Sequence, residues 1–140
     1  MPWPTTVLDA EGAIRTWINA QPALVGPGRP LPLGAHVGNP LRSPARGPYV
    51  LLTRVGGGPD PGEVNVDQAR VSGSVYGMKK LPAALGAAAY ANLLVAVAAP
   101  VALVGGGRLL AVTDLSGPLY LPDVDEERYV VDALFHIQPA

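Results

Sequence analysis

The run "AALGAAAYANLLVAVAAPVALV", Ala83–Val104, carries no charged side chain over 22 residues. A chain holding such a run must bury it in a membrane or beneath other apolar surface. Ten of the residues are Ala, Asn92 falls near the middle, and Pro100 would stop a helix before it crossed a bilayer. The run therefore predicts a buried helix followed by a strand, with no membrane contact. Lys79 and Lys80 precede Leu81-Pro82, where Pro fits a first helical turn, and the helix is expected to run on to Ala99. Leu85, Ala88, Ala89, Asn92, Leu93 and Val97 form its expected packed face, although the pattern is apolar nearly all round.

Such a helix needs a sheet to lie on. "PYVLLTRV" (Pro48–Val55) reads as a strand, being β-branched and aromatic between Pro and Gly, and "LGAHV" (Leu33–Val37) reads as a short one. "GGGPDPG" (Gly56–Gly62) is expected to be a turn or loop. Within the next strand region, Glu63–Tyr76, the residues Ala69, Val71, Gly73 and Val75 alternate with Arg70, Ser72, Ser74 and Tyr76, giving one apolar face. "VGGGRLLAVTDLSGPLYL" predicts a pair of strand segments bent at Ser116-Gly117-Pro118. In "ERYVVDALFHI" (Glu127–Ile137), Tyr129, Val131, Ala133, Phe135 and Ile137 share one face and Val130, Asp132, Leu134 and His136 the other, a strand expected to be covered on both sides. At the N-terminal end, Thr6 with Asp9 resembles a capping box, and Val7, Ala10, Ile14, Trp17 and Ile18 make one helical stripe ended by Pro22. Residues 1–140 are thus expected to form a single α+β domain, a mainly antiparallel sheet with two helices packed against it.

The function classes that composition excludes are few but definite. No Cys is present, so disulfides, thiolate metal sites and a Cys nucleophile are ruled out. The net charge of −1 argues nothing for nucleic acid, and "MPWPTTVLDAEGAIR" lacks the basic start and apolar core expected of a secretory signal. Charge is unevenly spread, however. From Arg29 to Arg108 eight bases face three acids, whereas from Leu109 onward only Arg128 stands against six acids. That polarity suits head-to-tail contact between identical subunits.

The acidic turn "DVDEERYVVDAL" places Asp123, Asp125 and Glu127 at the first, third and fifth positions of a calcium loop. The Gly such a loop needs at its sixth position is Arg128 and the Glu at its twelfth is Leu134, so a helix–loop–helix calcium site is rejected. His36 and His136 lie 100 residues apart, with nothing in their spacing to bring them to one metal or proton-transfer site. "GSVYG" has Ser in the wrong place for a nucleophile elbow. "VGGGPDPG" and "VGGGRLLA" lack the Lys-Ser/Thr of a phosphate loop and the spacing of a dinucleotide fingerprint. No cofactor, catalytic residue or metal ligand is therefore assigned. Arg42, Arg46 and Arg54 could meet phosphate, but Tyr49 alone lies among them and no stacking platform accompanies it.

Taken in order, "VLDAEGAIRTWINA", a Pro-rich loop, "PYVLLTRVGG", "ARVSGSVYG", the Ala-rich helix and "GPLYLPDVDEERYVVDALFHI" resemble the tail terminator proteins of long-tailed bacteriophages, particularly those of actinobacterial hosts. These are also called tail-to-head joining or tail completion proteins. The resemblance implies a structural, non-enzymatic virion protein, assembled in the host cytoplasm and resident at the head-proximal end of the tail. It implies a homo-oligomeric ring, usually of six subunits, that caps the tail tube protein, ends elongation and meets the head connector or stopper. DNA would pass through its lumen with transient, non-specific contact. Arg42, Arg46, Arg54, Asp123, Asp125 and Glu127 are the candidate subunit-interface or lumen residues, the carboxylates facing water or a neighbour's Arg42 or Arg46. Two other readings stay open: a different phage neck adaptor or small oligomeric interaction module, and a small metal-dependent hydrolase.

Overall fold

The computed structural model describes residues 9–41, 47–59, 66–97, 100–103 and 107–139. The architecture is α+β. Helix α1 (Ala10–Asn19) leads into strands β1 (Ala35–Val37), β2 (Tyr49–Pro59) and β3 (Asp67–Gly77), then helix α2 (Lys80–Val95) and strands β4 (Val101–Ala102), β5 (Arg108–Tyr120) and β6 (Glu127–Gln138). The six strands form one sheet in the order β1-β2-β3-β6-β5-β4. Among these described strands β1 and β2 pair in parallel and the other pairs are antiparallel.

Asp9 caps α1, its Oδ1 accepting the Gly12 N–H at 2.9 Å. The expected capping role of Thr6, and Val7 of the apolar stripe, lie outside the described residues. Ala10, Ile14, Trp17 and Ile18 are buried as their helical spacing requires. Asn19 then ties the helix to the sheet edge: its Oδ1 accepts the Ala35 N–H at 2.8 Å and its Nδ2 donates to the Ala35 carbonyl at 3.1 Å. A side-chain amide thus satisfies main-chain groups that an edge strand would otherwise expose.

Both helices lie on one face of the sheet. They share a core with Val50 and Leu52 of β2, Ala69, Val71 and Val75 of β3, Leu109 of β5, and Val131, Ala133, Phe135 and Ile137 of β6. The alternation expected for β3 and β6 is present, but β6 is not buried on both sides: Val130, Asp132, Leu134 and His136 are half-buried. At the other end of that outer face Tyr49, Leu51 and Tyr76 form a second small core under Leu33 and Leu41.

The packed face of α2 corrects the periodicity argument. Ala83, Gly86, Ala87, Tyr90, Ala91 and Leu94 are buried, whereas Leu85, Ala88 and Asn92 are exposed. The helix is apolar nearly all round, so hydrophobicity carries no phase. Close approach sets it instead. A Cβ on Gly73 would stand 2.6 Å from the Tyr90 ring, and one on Gly86 2.9 Å from Leu31, so two glycines admit the helix and one aromatic onto the sheet. The helix also stops at Val95, short of Ala99.

Two further expectations are corrected. Gly56–Pro59 extends β2 and is no turn, because Gly57, at φ +92°, lets the strand pass over the Gln68 carbonyl after a bulge between Arg54 and Gly56. The bend at Ser116-Gly117-Pro118 does not divide β5. One strand runs through it, with register shifts between Thr113 and Ser116 and between Ser116 and Leu119.

Candidate interaction surface

The long β5–β6 hairpin brings most of the acidic residues to one end of the sheet. Tyr120 packs on Tyr129 with ring centroids 5.0 Å apart, and Lys80 at the start of α2 holds its Nζ 4.4 Å above the Tyr120 ring. The Tyr120 hydroxyl donates to Glu127, which raises the pKa of the phenol. Arg128 donates from Nε to the Leu121 carbonyl at 2.8 Å and sits over Tyr76. The turn closes where the Asp123 N–H reaches the Glu126 carbonyl at 3.0 Å, and Asp123 Oδ1 accepts the Val124 N–H.

Around this scaffold the side chains face outward. Asp123 and Asp125 are exposed, and Val124 between them is 92% exposed. Glu126 behaves differently: its Oε2 is buried without a hydrogen-bond partner. Burial, then repulsion from Asp123 and Asp125, raises its pKa above the usual carboxylate range. The same turn acts on Tyr49, whose phenol is pushed up to about 12 chiefly by burial, with Glu126 adding to the rise and the hydrogen bond to Leu41 opposing it.

Arg54 is far from this cluster. Its Nη1 and Nη2 grip Asp67 at 2.6 and 2.7 Å, Nε donates to the Gly56 carbonyl, and its backbone N–H donates to Glu11 at 3.0 Å. Asp67 is 1% exposed, so the bidentate pair neutralises a buried carboxylate and raises the Arg54 pKa. Asp67 pairs with Ile137 and Gly77 with Glu127, ten residues further along the ladder. At about 3.3 Å per residue the guanidinium and the acidic turn stand about 33 Å apart. Arg42 and Arg46 lie outside the described residues.

No proton-transfer constellation assembles from the two histidines. His36 Nε2 meets the Leu33 carbonyl at 2.7 Å and its ring lies edge-on to Tyr49. His136 Nε2 meets Thr113 Oγ1 at 2.8 Å, well along the opposite half of the sheet. Among the described residues no group of three or more His, Cys, Asp or Glu is placed to hold a metal ion.

Sequence reasoning missed an apolar surface. Met78, Leu81 and Leu85 around the start of α2, Val95 at its end, and Leu119, Leu121 and Val124 on the hairpin are all exposed. Soluble surfaces scatter such side chains singly, but here they concentrate on two elements. The signal was present in the all-round apolarity of α2, which no single sheet face can cover. Among the described residues, no helix is long and apolar enough to cross a membrane. Compared with protein-family models and with curated proteins, the chain matches none.

Proposed function

We propose that this chain is a structural subunit of a phage tail, a ring former that caps the tube and joins it to the head connector. The observation that carries the reading is the β5–β6 hairpin and its turn, whose exposed apolar and acidic residues at one end of the sheet suit contact with another protein. The motif order from "PYVLLTRVGG" to "GPLYLPDVDEERYVVDALFHI" supports the same assignment. On this reading Asp123 and Asp125 face a neighbouring subunit or the tube. Glu127 positions Tyr120, and Arg54 acts mainly as an internal strut.

Electron microscopy of virions assembled without the gene tests the proposal. The expected result is tails of irregular or excessive length that fail to join heads. Tails of normal length left unjoined would favour a neck adaptor instead. Normal, attached tails would remove both readings.

A further inference from the structure

We propose that the hairpin tip of one copy docks on the outward face of α2 of the next copy. The inference rests on the self-association in the proposed function, and names the surface that carries it.

The first half of the contact is the helix. Leu81, Leu85, Ala88, Asn92 and Val95 are all exposed, and they follow one another at intervals of four, three, four and three residues. That spacing keeps them on one stripe along α2, the stripe that its own sheet leaves uncovered. Ala88 lies at the middle with larger residues toward both ends, a shallow seat open to a protruding side chain. At its N-terminal end stand Lys79 and Lys80, both exposed, with no carboxylate salt-bridged to either among the described residues.

The second half is the tip. Val124 projects between Asp123 and Asp125, with Leu121 and Leu119 behind it. Among the described residues Asp125 has no ion pair, and Asp123 only accepts a main-chain N–H from within its own turn. Each half is therefore an apolar surface flanked by unneutralised charge, and the signs are opposite. Docking tip on helix covers both apolar sets and sets Asp123 and Asp125 against Lys79 and Lys80. Pairing of α2 with α2 would leave Val124 and Leu121 in water and the lysines without acids.

Placement favours a head-to-tail contact. α2 lies on the core face of the sheet, while the acidic turn acts electrostatically on Tyr49, which belongs to the outer face. One copy can thus give its tip to one neighbour and its helix to another, the heterologous geometry that closes rings.

Sedimentation of the purified full chain over a concentration series reads the contact. Wild-type protein is expected to self-associate. Leu85→Asp and Val124→Asp should each raise the dissociation constant by about tenfold or more. Lys79→Glu with Lys80→Glu, and separately Asp123→Lys with Asp125→Lys, should weaken association by about tenfold. Mixing the two charge-reversed proteins should restore affinity to within about threefold of wild type, because each tip then meets a helix of opposite sign. All these positions are exposed, and circular dichroism of each variant separates lost docking from lost fold. A monomeric wild type, a mixture that stays dissociated, or Leu85→Asp assembling normally would overturn the docking. The virion imaging above judges the tail reading by itself, so association through a different surface would sink this contact and leave that reading standing.

Discussion

Asp67 and Glu126 are both carboxylates with buried oxygens, and their surroundings make them opposite in effect. Asp67 meets two guanidinium nitrogens, so its desolvation is offset by charge-assisted hydrogen bonds. Removing the acid leaves the Arg54 guanidinium, 29% exposed, without its counter-charge. Asp67→Asn is expected to lower unfolding free energy by about 2 kcal/mol or more in urea melts, with Arg54→Lys costing less because one point contact survives. A loss below about 0.5 kcal/mol would show the pair to be idle. Glu126 has no such partner, and its folded pKa is raised by burial and by Asp123 and Asp125. A raised folded pKa means the folded state holds the proton more tightly than the unfolded chain does. Stability from that preference is complete below the unfolded pKa and is lost as pH climbs through the folded one. Glu126→Gln should accordingly be more stable than wild type at pH 7, by about 0.5 kcal/mol at most because the residue is only half-buried and solvent screens much of its charge, with the gain vanishing in acid. Melting curves at both pH values check the sign. Neither role was legible in the sequence. Asp67 stands 13 residues from Arg54, and nothing local reveals that a hairpin aligns them.

Elements were legible wherever hydrophobicity carried a phase. The strict alternation of Ala69, Val71, Gly73 and Val75 settled the inward face of β3, and the spacing of Ile14, Trp17 and Ile18 settled that of α1. α2 failed for the converse reason. When nearly every position is apolar, the buried side is chosen by fit, and the fit depends on Gly73, far upstream of the helix in sequence but directly beneath the Tyr90 ring. Truncation tests that phase. Leu94→Ala, at a side chain 1% exposed, should cost about 2–4 kcal/mol, whereas Leu85→Ala, at 59%, should change stability by about 0.5 kcal/mol or less. Equal losses at the two positions would mean that the helix is rotated from the orientation described. β5 was misjudged for a different reason. Gly and Pro at 117 and 118 signal a break in a central strand, yet along most of its length β5 has β6 on one side and no described strand on the other. A strand edge tolerates Pro and bulges, and the bulges together with Asp114 at φ 52° make the edge a poor template for a further strand.

Across the whole molecule the linear charge polarity is reshaped by folding. Arg54 is used on Asp67, and Arg70 reaches Asp114 across the boundary between the basic and acidic stretches, at 3.5 Å on an exposed surface. Among the described residues left without an ion pair are Lys79 at the start of α2 and Asp125 on the hairpin. The candidate site was therefore half legible: the acidic turn stood out in the sequence, but its helix counterpart did not, since a lysine pair before a proline reads as an ordinary helix start. The fold and the projection should also be separable. Asp123–Asp125 is exposed and Glu126 half-buried, and among the described residues the hydrogen bonds of this turn are its own. Replacing residues 123–126 with a two-residue Asn-Gly turn, which keeps the Tyr120–Tyr129 register, should preserve the circular dichroism of the native protein and cost about 1 kcal/mol of stability. On the tail reading, the same protein supplied to virions lacking the gene should fail to yield joined particles of normal tail length. Full rescue by the trimmed protein would place the joining surface elsewhere on the molecule, because nothing in its core would have changed.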